Sequence, residues 1–266
     1  MDTKKYIDYL LVAIKAAVLA GEEILKIYAS SFSVELKEDQ SPLTAADKAS
    51  HLVIGNQLTD FGYPILSEEG LEIDFEQRKH WTNYWCVDPL DGTKEFIQRN
   101  GEFTVNIAFM ENKSPLFGII FQPTTGELYA GFDNVVYFIM AKQIDELTNE
   151  NLNSFRLKLN SGSESQQIKV VASRSHLSSE TQDFIDSLKA NGSEVSIVNA
   201  GSALKFCLLA KGQATIYPRF APTMEWDTAA GHAILKACGK NIYLSESNVE
   251  MTYNKPSLVN DWFVAR

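Results

Sequence analysis

The strongest constraint on the fold is a run of strand-like segments in the middle of the chain. Apolar and β-branched stretches follow one another at short intervals, with turn residues at 112–115 and 123–126 between some of them. The predicted strands are 64–67, 84–87, 103–110, 115–121, 127–132 and 135–140. Because strands joined by short turns pair side by side in opposite directions, these segments predict an antiparallel sheet.

Two helices are predicted beside this sheet. Apolar residues recur at helical spacing over 4–29, which predicts an amphipathic helix. A second helix is predicted over 44–60, where Thr44-Ala-Ala-Asp47 is typical of a capping box with Asp in the Glu position. Helices packed on an antiparallel sheet are typical of an α+β fold.

The polar, Ser- and Asn-rich stretch 145–167 predicts a boundary between two lobes. With 266 residues, the chain is long enough for one large domain or two closely packed ones. After the boundary, predicted strands at 168–172, 195–198 and 214–217 alternate with predicted helices at 178–190, 202–210 and 226–238. We therefore predict an N-terminal α+β lobe over 1–150 and a C-terminal α/β lobe over 151–266.

Charge and cysteine content exclude several classes of protein. The chain has 24 Lys and Arg against 34 Asp and Glu, a net charge of −10, whereas binding a nucleic-acid backbone requires a basic face. Cys86, Cys207 and Cys238 are odd in number and form no CxxC motif, which favours reduced thiols in the cytoplasm over a zinc site or disulfides. We also predict no signal peptide and no membrane span.

The motif Asp88-Pro-Leu-Asp91-Gly-Thr93 is the most informative part of the sequence. It follows directly on the apolar strand at 84–87, and Gly92 permits a conformation that a side chain would block. Two carboxylates with a carbonyl between them are the oxygen ligands that Mg²⁺ prefers. The alternative is a turn in which Asp88 and Asp91 only cap the next segment.

Four further acidic residues have both a functional and a structural interpretation. Glu68 and Glu69 follow the strand at 64–67 and could lie in a solvated loop. Asp227 precedes an apolar helix and could be an N-terminal capping acid, and Asp47 could serve only the capping box. None of these positions decides the function alone.

Taken together, the motifs resemble the inositol monophosphatase superfamily of lithium-sensitive, magnesium-dependent phosphatases. The family pattern is an acidic pair after a strand, then W-x-x-D-P-[LI]-D-G-T, then a distant W-D-x-A-A. Here the pattern stands as Glu68-Glu69, as Trp85-Cys-Val-Asp88-Pro-Leu-Asp91-Gly-Thr, and as Trp226-Asp227-Thr-Ala-Ala. The resemblance covers nearly the whole chain and implies a layered αβαβα, sugar-phosphatase-like α+β fold with the site between two lobes.

Within this superfamily, the chain is most similar to the CysQ-type 3′(2′),5′-bisphosphate nucleotidases. The similar segments run over 91–97, 100–108, 173–176, 201–207 and 217–220. One departure is Ala203, where the group often has a second Ser, so one polar contact differs.

The resemblance implies a two-metal site built mainly from carboxylates. Glu68, Asp88 and the carbonyl of Leu90 would hold one Mg²⁺, and Asp88, Asp91 and Asp227 a second; a third ion is compatible with the family. The four carboxylates would balance the charge of two Mg²⁺ ions. Thr93 and Asp47 would orient and deprotonate the attacking water, with help from Glu68.

The resemblance also implies a set of substrate contacts. N–H groups around Gly92 would bind phosphate oxygens, Lys205 would bind the 5′-phosphate, and Arg219 would stack on adenine or pair with phosphate. The alternative is that Lys205 and Arg219 are surface cations and that His176 caps a helix. The full implied set is Glu68, Leu90, Asp91, Gly92, Thr93, His176, Ser202, Lys205, Arg219 and Asp227.

The implied activity is removal of the 3′-phosphate of adenosine 3′,5′-bisphosphate, or of its phosphosulfate form, in sulfur metabolism. The substrate is then a small molecule, and no nucleic acid or protein partner is implied. The resemblance admits peripheral association of a cytoplasmic enzyme with the inner membrane. Two alternatives are an inositol-1-phosphate or fructose-1,6-bisphosphate phosphatase, which Lys94 disfavours, and a non-catalytic nucleotide-binding protein.

Overall fold

The computed structural model describes residues 3–31, 34–36, 42–158, 167–172 and 178–266, which contain seven α-helices and thirteen strands. The helices are α1 (Thr3–Tyr28), α2 (Ala45–Leu58), α3 (Phe75–Arg78), α4 (Thr93–Ile97), α5 (Ser179–Ala190), α6 (Leu204–Ala210) and α7 (Glu225–Ala237). The first eight strands are β1 (Val34–Leu36), β2 (Pro42–Thr44), β3 (Ile65–Ser67), β4 (Asn83–Asp91), β5 (Thr104–Glu111), β6 (Ser114–Gln122), β7 (Glu127–Phe132) and β8 (Val135–Met140). The remaining strands are β9 (Ile168–Ala172), β10 (Val195–Asn199), β11 (Tyr217–Arg219), β12 (Ile242–Leu244) and β13 (Phe263–Ala265).

A six-stranded sheet with the order β3-β4-β5-β6-β7-β8 forms the centre of the fold. Its pairs from β4 to β8 are antiparallel, as the short turns predict. Strand β3 departs from this pattern because it pairs in parallel with β4, with Ser67 opposite Val87. Parallel strands end at the same edge of a sheet, so β3 delivers Glu68 to the edge where β4 delivers Asp88.

Helices cover both faces of this sheet, and a second β layer lies beyond them. Helices α1 and α2 pack on one face, and α7 packs on the other beside α6. The strands β9 to β13 form a two-stranded parallel sheet and a three-stranded antiparallel sheet, against which α5 packs through a small apolar core around Ile185. The layers are therefore αβαβα, as the family resemblance implies.

Two glycines set the distance between the central sheet and α7. A Cβ atom at Gly118 would lie 2.5 Å from the carbonyl oxygen of Ala230, and one at Gly131 would lie 2.5 Å from the Cα atom of Ile234. Helix α7, which carries Asp227, can therefore pack closely on β6 and β7 only because these positions lack side chains.

Several element boundaries differ from the prediction. Strand β4 continues past Val87 to Asp91, through a shift of register between Asp88 and Asp91 that accommodates Pro89. The strand predicted over 214–217 lies at β11, although Ile216 forms a single bridge to Val170. The described part of the polar stretch holds 3₁₀ turns at Ala141–Glu146 and Leu152–Phe155.

Helix α7 follows the predicted boundary in sequence yet packs on the sheet that precedes it. The division into lobes at residue 150 stays a prediction. No helix in the described residues combines the length and the apolar composition needed to cross a bilayer.

Candidate active site

The candidate site lies where three elements end or begin around one edge of the central sheet. Glu68 follows β3, Asp88 and Asp91 lie in the last residues of β4, and Asp227 lies in the first turn of α7. The structure thus brings together acidic residues that are up to 159 positions apart in the sequence. The tight packing of α7 on the sheet is what brings Asp227 to the strand ends.

The turn that carries Asp88 is held by main-chain hydrogen bonds. Asp88 is buried, and its Oδ1 atom accepts the N–H of Leu90 at 3.1 Å. The buried hydroxyl of Ser50, on α2, donates to the carbonyl oxygen of Pro89 at 2.6 Å. Ser50 was not identified from the sequence, because nothing near it in the chain indicates that α2 packs on this turn.

Burial and mutual repulsion raise the pKa values of the three aspartates. Burial raises the pKa of Asp88 well above its usual range, and the charges of Glu68, Asp91 and Asp227 raise it further. The pKa of Asp227 is raised to about 8 by burial and then by the charge of Asp91, although the N–H of Met224 donates to its Oδ2 atom at 2.8 Å. In the absence of a cation, these carboxyl groups therefore keep their protons at pH values well above the usual pKa of a carboxyl.

Asp91 has partial compensation from two neighbours. Burial raises its pKa to about 6, and the Lys205 charge and a hydrogen bond from Asn106 limit that rise. The Nδ2 atom of Asn106 donates to Asp91 Oδ2 at 3.3 Å, and Asn106 lies opposite Asp88 in the β4–β5 register. The sequence did carry a signal for this residue, since Asn106 is a polar position within an apolar strand.

The donor set fits a hard divalent cation by its chemistry. Four carboxylates and the Leu90 carbonyl offer the oxygen donors that such a cation prefers, and the raised pKa values of Asp88, Asp91 and Asp227 reflect negative charge that a cation would neutralise. Within the part of the chain that the structure describes, no three acidic, His or Cys side chains form a closed metal-binding arrangement. The residues that could hold Mg²⁺ therefore lie at one edge of the central sheet, but their side chains do not converge on one position.

Asp47 is both a helix cap and a neighbour of Thr93. Its Oδ2 atom accepts the N–H of Thr44 at 2.7 Å and the Thr44 hydroxyl at 2.6 Å, so the predicted capping box is present. The hydroxyl of Thr93 lies 3.2 Å from Asp47 Oδ1, to which it can donate, and 3.4 Å from the Leu90 carbonyl oxygen. The capping bonds hold the Asp47 carboxylate in place while its second oxygen faces Thr93.

A cleft of about 440 Å³ opens beside the aspartates. It is lined by most of the residues predicted to contact a nucleotide, together with two of the predicted metal ligands: Asp91, Gly92, Ser202, Lys205, Arg219 and Asp227. Glu68 lies instead on a neighbouring recess of about 420 Å³, which also contacts Met224 and Trp226. His176 lies outside the described residues.

The two predicted cations of the cleft differ in their surroundings. Lys205 is buried, its Nζ atom donates to the Ser202 carbonyl oxygen at 2.7 Å, and burial lowers its pKa to about 8 against the opposing charge of Asp91. Arg219 is half-buried and donates from Nη2 to the Pro222 carbonyl oxygen at 3.2 Å. Its Nε atom has no partner among the described residues.

Ser202 joins the two loops that meet at the cleft. Its Oγ atom lies 2.6 Å from the carbonyl oxygen of Glu102 and 3.0 Å from that of Asp91, and its φ angle is +46°. Gly92 makes room for this contact, because a Cβ atom there would lie 2.1 Å from Ser202 Oγ. The carboxylate of Glu102, which was not assigned a role from the sequence, also accepts the N–H of Gly201 at 2.9 Å.

Comparison with known proteins places this chain in a family. A model described as the inositol monophosphatase family matches residues 7–261. The chain is 42% identical over 231 residues to the 3′(2′),5′-bisphosphate nucleotidase CysQ of Escherichia coli O157:H7, and the match covers 84% of this chain and 85% of that protein.

Solved structures agree with that match. CysQ from Bacteroides thetaiotaomicron, described as a bacterial member of the family, has a TM-score of 0.83 and 41% identity, covering 97% of this chain and 96% of that one. The Thermotoga maritima IMPase has a TM-score of 0.73 at 18% identity, covering 98% and 91%, and so shares the fold. The family and the layered fold predicted from the sequence are confirmed. The chain belongs to the inositol monophosphatase family.

Proposed function

We propose that this protein is a magnesium-dependent phosphatase that removes the 3′-phosphate of adenosine 3′,5′-bisphosphate, giving AMP and phosphate. The relatives that carry the name 3′(2′),5′-bisphosphate nucleotidase support the substrate class, since they are up to 42% identical over 84% of this chain. The observation that carries the proposal is the group of carboxylates around the buried Asp88, beside a cleft lined by Lys205 and Arg219.

Glu68, Asp88, Asp91, Asp227 and the carbonyl of Leu90 would hold the metal. Mg²⁺, when bound, supplies positive charge that activates the attacking water and stabilises the leaving oxygen. Asp88 is central to this role because the charges of the other three carboxylates all raise its pKa. We propose two Mg²⁺ ions, whose charge of +4 would balance the −4 of the four carboxylates.

Asp47 and Thr93 would prepare the water. The Thr93 hydroxyl can donate to Asp47 Oδ1 at 3.2 Å, which leaves its oxygen free to accept a hydrogen bond from the water. Asp47 would take up the proton through this hydroxyl, and its capping bonds to Thr44 keep its carboxylate oriented. Phosphate oxygens would be held by N–H groups around Gly92, at the start of α4.

Substrate selection would depend on the second phosphate. A volume of about 440 Å³ is within the usual range for a small-molecule site. Lys205 would contact the 5′-phosphate, and the planar guanidinium of Arg219 would stack on adenine or pair with phosphate. Cleavage of the phosphosulfate form would use the same contacts, since it differs only at the 5′ end.

The proposal includes a cytoplasmic setting. Cys86, Cys207 and Cys238 are free in the structure, and Cys86 and Cys207 are buried. Free buried thiols suit a reducing compartment.

A substrate comparison tests the proposal directly. Phosphate release is measured on adenosine 3′,5′-bisphosphate, inositol 1-phosphate and fructose 1,6-bisphosphate, after EDTA treatment and again with added Mg²⁺. We expect hydrolysis only with Mg²⁺ and a kcat/KM for the nucleotide at least about 100-fold above the others, because neither sugar phosphate presents both an adenine to Arg219 and a 5′-phosphate to Lys205. A preference for inositol 1-phosphate would replace the substrate assignment, and binding of the nucleotide without hydrolysis would favour a non-catalytic role.

A further inference from the structure

A second group of buried charged side chains lies beside the candidate site. Glu225 is 0% exposed and Arg78 is 2% exposed, and both contact the segment 254–256. We call Arg78, Glu225 and this segment the clamp. Neither side chain lines the main cleft, and the proposed reaction does not use them.

Glu225 binds the N–H side of the segment. Its Oε2 atom accepts the N–H of Asn254 at 2.7 Å, and its Oε1 atom accepts the N–H of Lys255 at 3.0 Å. The ammonium group of Lys255 also donates to Glu225 Oε1 at 2.7 Å. The carboxylate is therefore fully hydrogen-bonded although it is removed from water.

Arg78 binds the carbonyl side of the same segment. Its Nη1 atom donates to the Lys255 carbonyl oxygen at 2.6 Å and to Asn254 Oδ1 at 2.9 Å, and its Nη2 atom donates to the Pro256 carbonyl oxygen at 2.9 Å. Asn254 returns a hydrogen bond from Nδ2 to the Arg78 carbonyl oxygen at 2.7 Å. The planar fork of the guanidinium serves several acceptors at once, which an ammonium group does not.

Each end of the clamp contacts the helix or loop that carries a residue proposed to bind metal. Glu225 and Asp227 are in the same first turn of α7. The Nε atom of Arg78 donates to the carbonyl oxygen of Ile73 at 3.3 Å, which closes the loop that begins at Glu68. Glu68 and Asp227 are 159 residues apart along the chain. Segment 254–256 therefore connects the two sides of the site through hydrogen bonds.

A second contact chain runs through Asn260 on the α7 side. The Nδ2 atom of Asn260 donates to the Met224 carbonyl oxygen at 2.7 Å, and its Oδ1 atom accepts from the Lys255 ammonium at 3.1 Å. The N–H of Met224 in turn donates to Asp227 Oδ2 at 2.8 Å. A displacement of Lys255 would thus be passed through Asn260 to Met224, whose N–H orients the Asp227 carboxylate.

Buried charges are a poor means of gaining stability alone. Removing a carboxylate and a guanidinium from water has a large desolvation cost, and apolar groups of the same volume often stabilise a protein as well. Directional bonds from both charged groups to one short segment instead determine where that segment lies. The arrangement therefore suits a role in geometry.

We propose that Glu225 and Arg78 are positioning residues that set the placement of Asp227 and Glu68 around the metal. The inference rests on the proposed metal site. Its consequence is that loss of either side chain weakens Mg²⁺ binding while the protein remains folded. Partners behind metal ligands typically change metal affinity 10–100-fold when they are replaced.

The test compares Glu225→Gln and Arg78→Lys with the wild-type protein and with Ile139→Ala. Gln has the shape of Glu but presents an NH₂ group to one of the two N–H donors, and Lys keeps the charge of Arg without its fork. Ile139 is buried in β8, outside the site, and its replacement controls for general loss of stability. Melting temperature is measured in EDTA and across a Mg²⁺ series, without substrate, and half-saturating Mg²⁺ is measured for hydrolysis.

We expect the Mg²⁺-dependent rise in melting temperature to require about 10–100-fold more Mg²⁺ in Glu225→Gln and Arg78→Lys, with KM at saturating Mg²⁺ unchanged. Ile139→Ala should melt earlier and keep the wild-type Mg²⁺ dependence. Unchanged Mg²⁺ dependence in both clamp variants overturns the inference, as does an equal loss in Ile139→Ala.

The same series separates this inference from the proposed function. If the wild-type protein shows neither a Mg²⁺-dependent melting temperature nor Mg²⁺-dependent hydrolysis, the proposed function fails. If the wild-type protein shows both and the clamp variants behave like it, only the inference fails. Should Glu225→Gln not fold, Arg78→Lys gives the decisive comparison.

Discussion

Glu225 is a buried carboxylate and Asp227 a partly buried one in the same turn of α7, yet their surroundings are opposite. Glu225 accepts hydrogen bonds from two N–H groups and an ammonium within 3.0 Å. Asp227 accepts a hydrogen bond from the N–H of Met224, but its burial and then its acidic neighbours raise its pKa to about 8. One carboxylate is compensated by the protein itself, and the other belongs to a group that a bound cation would compensate.

The size of the repulsion explains why this difference matters. Two carboxylates 4 Å apart repel by about 4 kcal/mol at an effective dielectric constant near 20. Protons relieve that repulsion when metal is absent, which is why burial and the charges of Glu68, Asp91 and Asp227 raise the pKa of Asp88. We therefore regard the compensated carboxylate as scaffold and the uncompensated group as the binding site, and the following predictions test that division.

The largest effect is expected at the centre of the uncompensated group. Asp88→Asn should lower turnover by about 10³-fold or more, because it removes a charge that would contact both metals. The metal-free variant should melt no earlier than the wild-type protein, since Asn, like the protonated Asp88, carries no charge. Turnover and melting temperature in EDTA are measured for this variant and for Asp183→Asn, which changes an exposed carboxylate on α5. Normal turnover of Asp88→Asn in excess Mg²⁺ would contradict the two-metal assignment.

Asp47 tests whether a hydrogen-bonded carboxylate can still be catalytic. Thr93→Val and Asp47→Asn should each lower kcat by about 100-fold or more, with Mg²⁺ affinity and substrate affinity nearly unchanged, because they act on the attacking water in the transition state. The double variant should be little worse than the poorer single one, since the two residues act as a unit.

The catalytic role of Asp47 would be contradicted if Asp47 served only as a helix cap. Asn is a competent capping residue, so a purely structural Asp47 would leave turnover of Asp47→Asn near normal and change only the melting temperature slightly. Measuring kcat, half-saturating Mg²⁺ and melting temperature on the same three variants separates the two roles.

Lys205 is the cation whose charge limits the rise in the pKa of Asp91, within the uncompensated group. Lys205→Met should weaken binding of adenosine 3′,5′-bisphosphate by about 1.5–3 kcal/mol, roughly 10–150-fold, and binding of adenosine 3′-phosphate far less. Michaelis constants for both substrates are compared with those of the control variant Lys211→Met, which removes an ammonium group that pairs with Glu127. Equal losses on the two substrates would show that Lys205 supports the Ser202 loop and Asp91 without contacting the 5′-phosphate.

The smallest effect is a pH dependence of the metal-free protein. Asp91 and Asp227 have folded-state pKa values of about 6 and about 8, above the ordinary value of 3.8, so the folded protein binds more protons than the unfolded chain in that range. Stability then falls as pH rises. His232, whose pKa is lowered to about 4 by burial, acts in the opposite direction below its usual 6.5, and Lys205 acts above about 8.

The window from pH 6.5 to 8 lies above the pKa of Asp91 and therefore isolates the aspartates whose pKa values are raised furthest, Asp227 and Asp88. We expect the melting temperature in EDTA to fall by a few degrees across it, since about 1 kcal/mol shifts the melting temperature of a chain near this size by about 2–4 °C. Asp227→Asn should flatten the slope, and saturating Mg²⁺ should abolish it. A melting temperature that rises across this window would mean that the aspartates are ionised without metal.

The local motifs could be predicted from the sequence because their physics is local. The capping box of Thr44 and Asp47, the end of a buried strand at Asp88 and the start of α7 near Asp227 each depend on residues within one or two turns. Their common order and spacing also carried the family resemblance. The antiparallel run from β4 to β8 follows in the same way from apolar segments and short turns.

The supporting contacts could not be predicted, because each depends on a register or a packing distance between remote segments. Asn106 faces the site through its position opposite Asp88 in the β4–β5 pairing, and Glu102 reaches Gly201 across 99 residues. Parallel pairing of β3 with β4 decides that Glu68 ends at the same edge as Asp88.

The candidate metal ligands and the family could be predicted from the sequence, since those residues form short motifs at fixed spacing. Which charged side chains are compensated by neighbours depends instead on the tertiary packing. Arg78 reaches Asn254 across 176 residues, and Glu225 reaches Lys255 across 30. A side chain's electrostatic environment depends on all the segments packed around it, so two carboxylates two residues apart can differ completely in charge balance.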